Sequence, residues 1–205
     1  NRITNPRRMR VGSTLDIPVA LLRTSPIEAR VASYRGEATA LVQGRTAPVT
    51  KGMALPEGAV VATGSNASVR LELPDGSQVA LPSQSRIRLE RLRLTPLTGS
   101  IDRVISLEAG RSEAVVTPMK QPRDGFTIRT PLSVTAVRGT AFRVIYDAQT
   151  QRAWTEVVHG QVNVASLVDR SASITPAAFG VKASGAGVTT PAPLLPQTTL
   201  TMAGR

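Results

Sequence analysis

From about residue 30 to residue 174, apolar and polar positions alternate in short runs broken by glycine and proline. A period of two marks half-buried strands, because successive side chains point to opposite faces. The alternation predicts strands at 30–34, 37–42, 67–73, 78–81, 85–90, 103–107, 111–116, 126–129, 134–137, 141–146, 152–158 and 161–165. Pro74-Asp75-Gly76-Ser77 is a strong turn between two of these runs, and residues 147–151 form another. In the run from Ser85 the inward positions are Ile87 and Leu89, but Leu92 and Leu94 take the other parity. A slip of one residue turns every side chain over, so a bulge or corner is expected at Glu90-Arg91. Gly36, Gly110 and Gly160 each stand between two short strands, a weak and unequally spaced repeat. Many β-branched strands with Gly/Pro turns argue for an all-β fold, as a sandwich, a barrel or a helix-like stack.

The stretch from Thr130 to Val144 carries the most information. Val134, Ala136, Phe142, Val144 and Tyr146 share one parity, and Arg138 falls on it just before Gly139. Either Arg138 is buried and paired, or Gly139 bends the chain and turns it outward. The apolar parity favours the buried position. A guanidinium among apolar residues needs partners, and Glu108, Glu113 and Glu156 are the candidates. Arg138→Ala would then cost about 2–4 kcal/mol. Arg138, Gly139, Thr140 and Phe142 are read as a structural motif rather than a reacting site.

Thr130-Pro131 followed by Val134-x-Ala136-Val137-Arg138-Gly139-Thr140-x-Phe142-x-Val144 resembles the core signature of the FecR domain. Val60–Gly64, Ala67–Leu71, Pro74–Ser77, Ser85–Leu89, Leu107–Arg111 and Glu156–Val164 resemble its other elements in order and spacing. The likeness spans residues 28–182. It implies a solenoid-like or sandwich stack of strands in a periplasmic or cell-surface protein, and the best-known members regulate iron-uptake signalling. Residues 1–18, with Asn5-Pro6, Gly12 and Leu15-Asp16-Ile17-Pro18, resemble the closing half of a LysM module, a family that binds N-acetylglucosamine polymers such as peptidoglycan. Val11 stands where that family has Pro. Residues 19–27 read as a linker. Residues 183–205, rich in Pro, Ala, Gly and Thr, read as a second linker or the start of a following domain. Asn1-Arg2-Ile3 is a poor natural start, so the chain reads as an excised piece.

Composition narrows the partners. The chain has 205 residues, no cysteine and a net charge of +11. Lys51, Lys120 and Lys182 are the lysines, so 22 of the 25 basic residues are arginine. Such a charge suits nucleic acid, anionic lipid or anionic wall polymers. The arginines are scattered, however, which also fits an ordinary solvated surface. Six aromatic residues are too few to stack a single strand of bases, which weighs against nucleic acid. One local cluster stands out: Arg86 and Arg88 lie opposite Ile87 and Leu89, and Arg91 and Arg93 lie opposite Leu92 and Leu94. Guanidinium forks suit carboxylate and phosphate groups, so these four form a candidate polyanion contact. Edge protection would produce the same pattern.

Little in the chain suggests catalysis. His159 is the sole histidine, beside Gly160 at a turn, and no serine sits in a Gly-x-Ser-x-Gly elbow. There is no P-loop, and Asp75-Gly76-Ser77 lacks the glutamate of a calcium loop. No cofactor or metal site is expected. The sequence therefore points to a non-enzymatic, exported FecR-like domain. It would bind, scaffold or sense in the periplasm or at the cell surface, in contact with an envelope protein or an anionic wall polymer. The alternatives are a regulator in an anti-sigma or iron-uptake relay and, from another class, a component of a wall-glycan hydrolase.

Overall fold

Alternation becomes two facing sheets linked at sharp corners. The computed structural model describes residues 12, 21–121 and 123–195. Almost all of its regular structure is strand. The LysM-like segment at 1–18 lies outside the described residues, Gly12 excepted.

Sheet A contains β4 (Arg45–Pro48), β3 (Ala38–Val42), β6 (Val60–Thr63), β9 (Arg86–Thr95), the first part of β10 (Ser100–Val115), β11 (Gly125–Arg129), β12 (Ser133–Val137), β15 (Gln161–Ser166) and β16 (Ala172–Pro176), in that spatial order. A two-residue strand, β1 (Ser25–Pro26), pairs with the far end of β9. Sheet B contains β5 (Ala54–Leu55), β2 (Ala29–Arg35), β7 (Ser68–Glu72), β8 (Gln78–Leu81), the second part of β10, β13 (Ala141–Asp147), β14 (Arg152–His159) and β17 (Phe179–Ser184). β18 (Gly187–Val188) and β19 (Ala192–Pro193) pair with the outer edge of β17. Among the described residues β4 and β16 pair on one side only, so sheet A is open. Strands continue to Pro193 and begin at Ser25, so the sheets extend into both segments expected as linkers. Pro26 and Pro193 sit in two-residue edge strands, where a missing N–H costs nothing.

The chain passes repeatedly from one sheet to the other, and glycine usually makes the corner. β2 turns into β3 at Gly36, β6 into β7 at Gly64, β12 into β13 at Gly139 and β14 into β15 at Gly160. β10 crosses by itself, bending at Gly110. The weak repeat seen in the sequence is thus a set of stacked corners. They touch: the Gly64 N–H donates to Glu37 O at 2.9 Å, Gln84 N–H to Gly64 O at 3.1 Å, and Arg111 N–H to Ser85 Oγ at 3.0 Å. The core lies between the sheets and includes Leu55, Leu71, Leu81, Ile87, Leu89, Ile105, Leu107, Phe126, Ile128 and Phe142, all at most 1% exposed. Phe126 and Phe142 meet edge to face with centroids 6.2 Å apart.

Two phase changes follow from this layout. Glu90 is the extra residue of a bulge, since Arg91 pairs with Val104 while Leu89 pairs with Ile105. The slip expected at Glu90-Arg91 is therefore a bulge within one long strand. At Gly139 the expected phase is corrected. Ser133, Thr135 and Val137 are the buried side of β12, whereas Ala136 is exposed. The inward parity is odd before the corner and even after it, at Phe142, Val144 and Tyr146. Gly139, at φ +99°, absorbs the odd residue.

Candidate interaction surface

Arg138 stands on the odd residue's neighbour, and this decides its role. It is exposed, and its Nη2 donates to Gln121 O at 3.3 Å. The buried reading does not hold, because the corner at Gly139 turns the side chain outward. The cost of Arg138→Ala is therefore that of an exposed truncation rather than about 2–4 kcal/mol. A thermal melt should place that variant within about 0.5 kcal/mol of the parent, as for other surface positions. The rest of the motif is architectural in its contacts. A Cβ on Gly139 would stand 2.7 Å from Pro118 Cα. The Thr140 hydroxyl donates to Gln161 O at 3.1 Å, and Phe142 is fully buried.

The glutamates considered for Arg138 serve other arginines. Glu108 receives Arg86 Nε at 2.7 Å and Arg88 Nε at 2.9 Å. Glu113, 0% exposed on β10, lies in register between Ala80 and Arg143 on the outer side of sheet B. Arg143 bonds Glu113 at 3.0 Å and Glu156 at 2.9 Å, giving a cross-strand ladder of alternating charge.

Among the described residues, the buried arginine is Arg103. It is 2% exposed and faces inward between Leu92 and Phe126. Its guanidinium pairs with Asp75 in the β7–β8 turn, its Nε donates to Gly125 O at 3.1 Å, and it lies 5.7 Å from the Phe126 ring centroid. Asp75 also accepts the Ser77 hydroxyl at 2.6 Å, and Ser77 Oγ accepts the Thr117 N–H at 3.1 Å. This chain of contacts ties a sheet B hairpin to sheet A. A sign was present in the sequence, since Arg103 shares its parity with Ile105 and Leu107. The register that brings Asp75 to it was not.

The four arginines of the candidate polyanion contact do share the outer face of sheet A, but each has a carboxylate. Besides the Glu108 pairs, Arg91 bonds Asp102 at 2.9 Å and Arg93 bonds Glu57 through two nitrogens, each at 2.6 Å. Arg129 adds a looser pair with Glu90 at 3.7 Å. Five arginines meet four carboxylates, so the ridge keeps about one net positive charge. The hydrogen bond from Arg93 holds the Glu57 carboxyl below its usual range, against the effect of burial. That contribution is present above the usual carboxylate range and fades as pH falls through the lowered value. Asp102 raises Arg91, mainly through their hydrogen bond.

Two depressions lie on this face, one of them beside the Arg91–Arg93 end of the ridge. One, of about 420 Å³, is bordered by Glu57, Arg91, Arg93, Asp102 and Arg123. The other, of about 520 Å³, is bordered by Gly125, Thr127, Ala136, Arg138, Gln161 and Asn163. Among the described residues no three of His, Cys, Asp and Glu stand together as metal ligands, and no helix is long and apolar enough to cross a membrane. His159 is an exposed corner residue.

This arrangement has relatives. The family model described as "FecR protein" matches residues 59–163, just over half of the chain, a region that includes the corners at Gly64, Gly110, Gly139 and Gly160. The chain belongs to the FecR family. Two crystal structures of a candidate anti-sigma factor from Parabacteroides distasonis also resemble this FecR chain, with TM-scores of 0.49 and 0.50 at 20% and 21% identity. Each alignment covers 62% of this chain and 55% of the other, so the FecR chain spans little more than half the length of those proteins. At such identity the likeness concerns the fold alone. No curated protein matches the chain.

Proposed function

We propose that this chain is a non-enzymatic FecR domain of the cell envelope, on the periplasmic side or at the cell surface, that acts in a regulatory or signalling relay through contact with a partner protein. The observation that carries the reading is the family match over residues 59–163. The paired sheets support it. Their buried ionic contacts, Arg103 with Asp75 and Arg143 with Glu113, suit a rigid scaffold that presents a face. Removing residues 59–163 from the gene in its own host tests the regulatory role. A defined set of transcripts should change. An unaltered transcript profile would contradict it.

The Arg-rich face favours a second reading, attachment to an anionic wall polymer, with the LysM-like segment at 1–18 as its other support. Pairing weighs against it, because a polyanion must compete with Glu57, Asp102 and Glu108 for their arginines. Replacing Arg86, Arg88, Arg91 and Arg93 together with glutamine separates the two. On the protein-contact reading, retention on purified sacculi changes less than about twofold, because exposed pairs are screened and each contributes little. A loss of tenfold or more, with a flattened salt dependence in a folded variant, would restore the wall-polymer reading.

A further inference from the structure

The two depressions are neighbours on sheet A, and together they line a trough that runs across the strands. Asp102 of β10, which borders one, pairs with Gly125 of β11, which borders the other, and the consecutive residues Arg123 and Asp124 border one each. From Arg93 on β9 to Asn163 on β15 the trough crosses five adjacent strands. At about 4.8 Å per strand this is roughly 19 Å, the span of about six residues of extended chain. Its middle is a recess because Gly125, Thr127 and Ala136 are small, while longer side chains such as Arg138 and Gln161 border it.

The lining selects the occupant. Its carboxylates are already engaged: Glu57 by Arg93, Asp102 by Arg91, and Asp124 by the N–H groups of Ile101 and Gln121, each at 2.9 Å. Arg123 forms no ion pair among the described residues. Arg138 is exposed at the other end, and its five donors allow a carboxylate to share the guanidinium with Gln121 O. Hydroxyl and amide groups lie between and beside them, at Thr127, Gln161 and Asn163. The one aromatic in the lining, Phe126, is buried, so no platform exists for stacking a sugar or a base. A uniform polyanion would be driven against Glu57, Asp102 and Asp124. A peptide can place its charges only where the arginines stand.

We infer that this trough holds an extended acidic segment of a partner protein, about six residues long, with one carboxylate at Arg138 and another at Arg123. The inference rests on the protein-contact reading above and names the chemistry of that contact.

The whole chain, labelled with nitrogen-15, tests it against an array of acetylated and amidated hexapeptides. Two glutamates are moved through all positions of a Ser/Ala background, and each peptide has a glutamine counterpart. At least one glutamate peptide should shift the amides of Gly125, Thr127, Ala136 and Asn163. Its glutamine counterpart should bind at least tenfold more weakly. Arg123→Gln and Arg138→Gln should each weaken binding at least fivefold, and Arg152→Gln, on sheet B, should leave it unchanged. If no peptide shifts these amides, or if the shifts fall on another surface, the trough assignment fails; shifts elsewhere would leave the protein-contact reading standing. If Arg152→Gln weakens binding as much and polyphosphate displaces the peptide, the attraction is diffuse charge and the inference is wrong.

Discussion

Arg103→Ala should destabilise the domain by about 3–5 kcal/mol, the largest effect expected of any single side-chain truncation here. The change removes the guanidinium from Asp75 and leaves that carboxylate, itself only 15% exposed, without its cation. It also opens space beside Phe126 and frees the Gly125 carbonyl. Thermal unfolding reads the loss, at about 2–4 °C per kcal/mol for a domain of this size. Removing both charges should cost less than removing one. Arg103→Met with Asp75→Asn keeps the side-chain volume and an acceptor for Ser77, and it leaves no buried ion unpaired. The double variant should therefore recover part of the stability lost in Arg103→Met alone. If Arg103→Ala melts within 2 °C of the parent, the contact between β10 and the β7–β8 turn does not hold the sheets together.

Gly110→Ala should cost about 3 kcal/mol or more. Two separate penalties meet at this corner. Gly110 has φ +78°, a conformation that side-chain-bearing residues adopt at a cost of about 1 kcal/mol. Its new Cβ would also stand 2.3 Å from Gln84 O and 2.7 Å from Ser85 Cα, both backbone atoms that cannot swing aside. Gly44→Ala isolates the first penalty, because Gly44 has φ +79° with nothing within 4 Å of the added carbon. Gly185→Ala carries neither and should be close to neutral. Chemical denaturation of the three variants should rank them Gly110, Gly44, Gly185. Equal costs for Gly110 and Gly44 would show that the corners are not packed against one another.

Much of the strand content was legible because one side of each strand is buried, and burial on one side writes a period of two into the sequence. The bulge at Glu90 was legible for the same reason, since Leu89 and Leu92 cannot both face inward without it. The sheet order was not. Which strands pair depends on contacts far apart in the chain, such as Gln78–Leu81 with the end of β10. Arg138 shows how a local rule fails at a corner: Phe142 and Val144 are inward, and the same parity carried back across Gly139 gives the wrong side. The candidate polyanion ridge shows the complementary limit. Alternation placed Arg86, Arg88, Arg91 and Arg93 on an outer face. Only the register of β9 against β10, and the approach of Glu57, revealed the carboxylates beside them. Arg103 and Asp75 are 28 residues apart, and nothing local to either announces the pair.

The claim that sheet A presents a protein-contact face is tested most directly by photo-crosslinking in the cells that express the full-length protein. A benzophenone amino acid placed at Thr127, on the floor of the trough, should give one discrete protein adduct. That adduct should survive digestion of the wall with lysozyme and disappear when Arg138→Gln is added, while the same probe at Trp154 on sheet B should give none. Adducts from Thr127 that vanish on lysozyme digestion, or a protein adduct formed equally from Trp154 and indifferent to Arg138→Gln, would contradict the account.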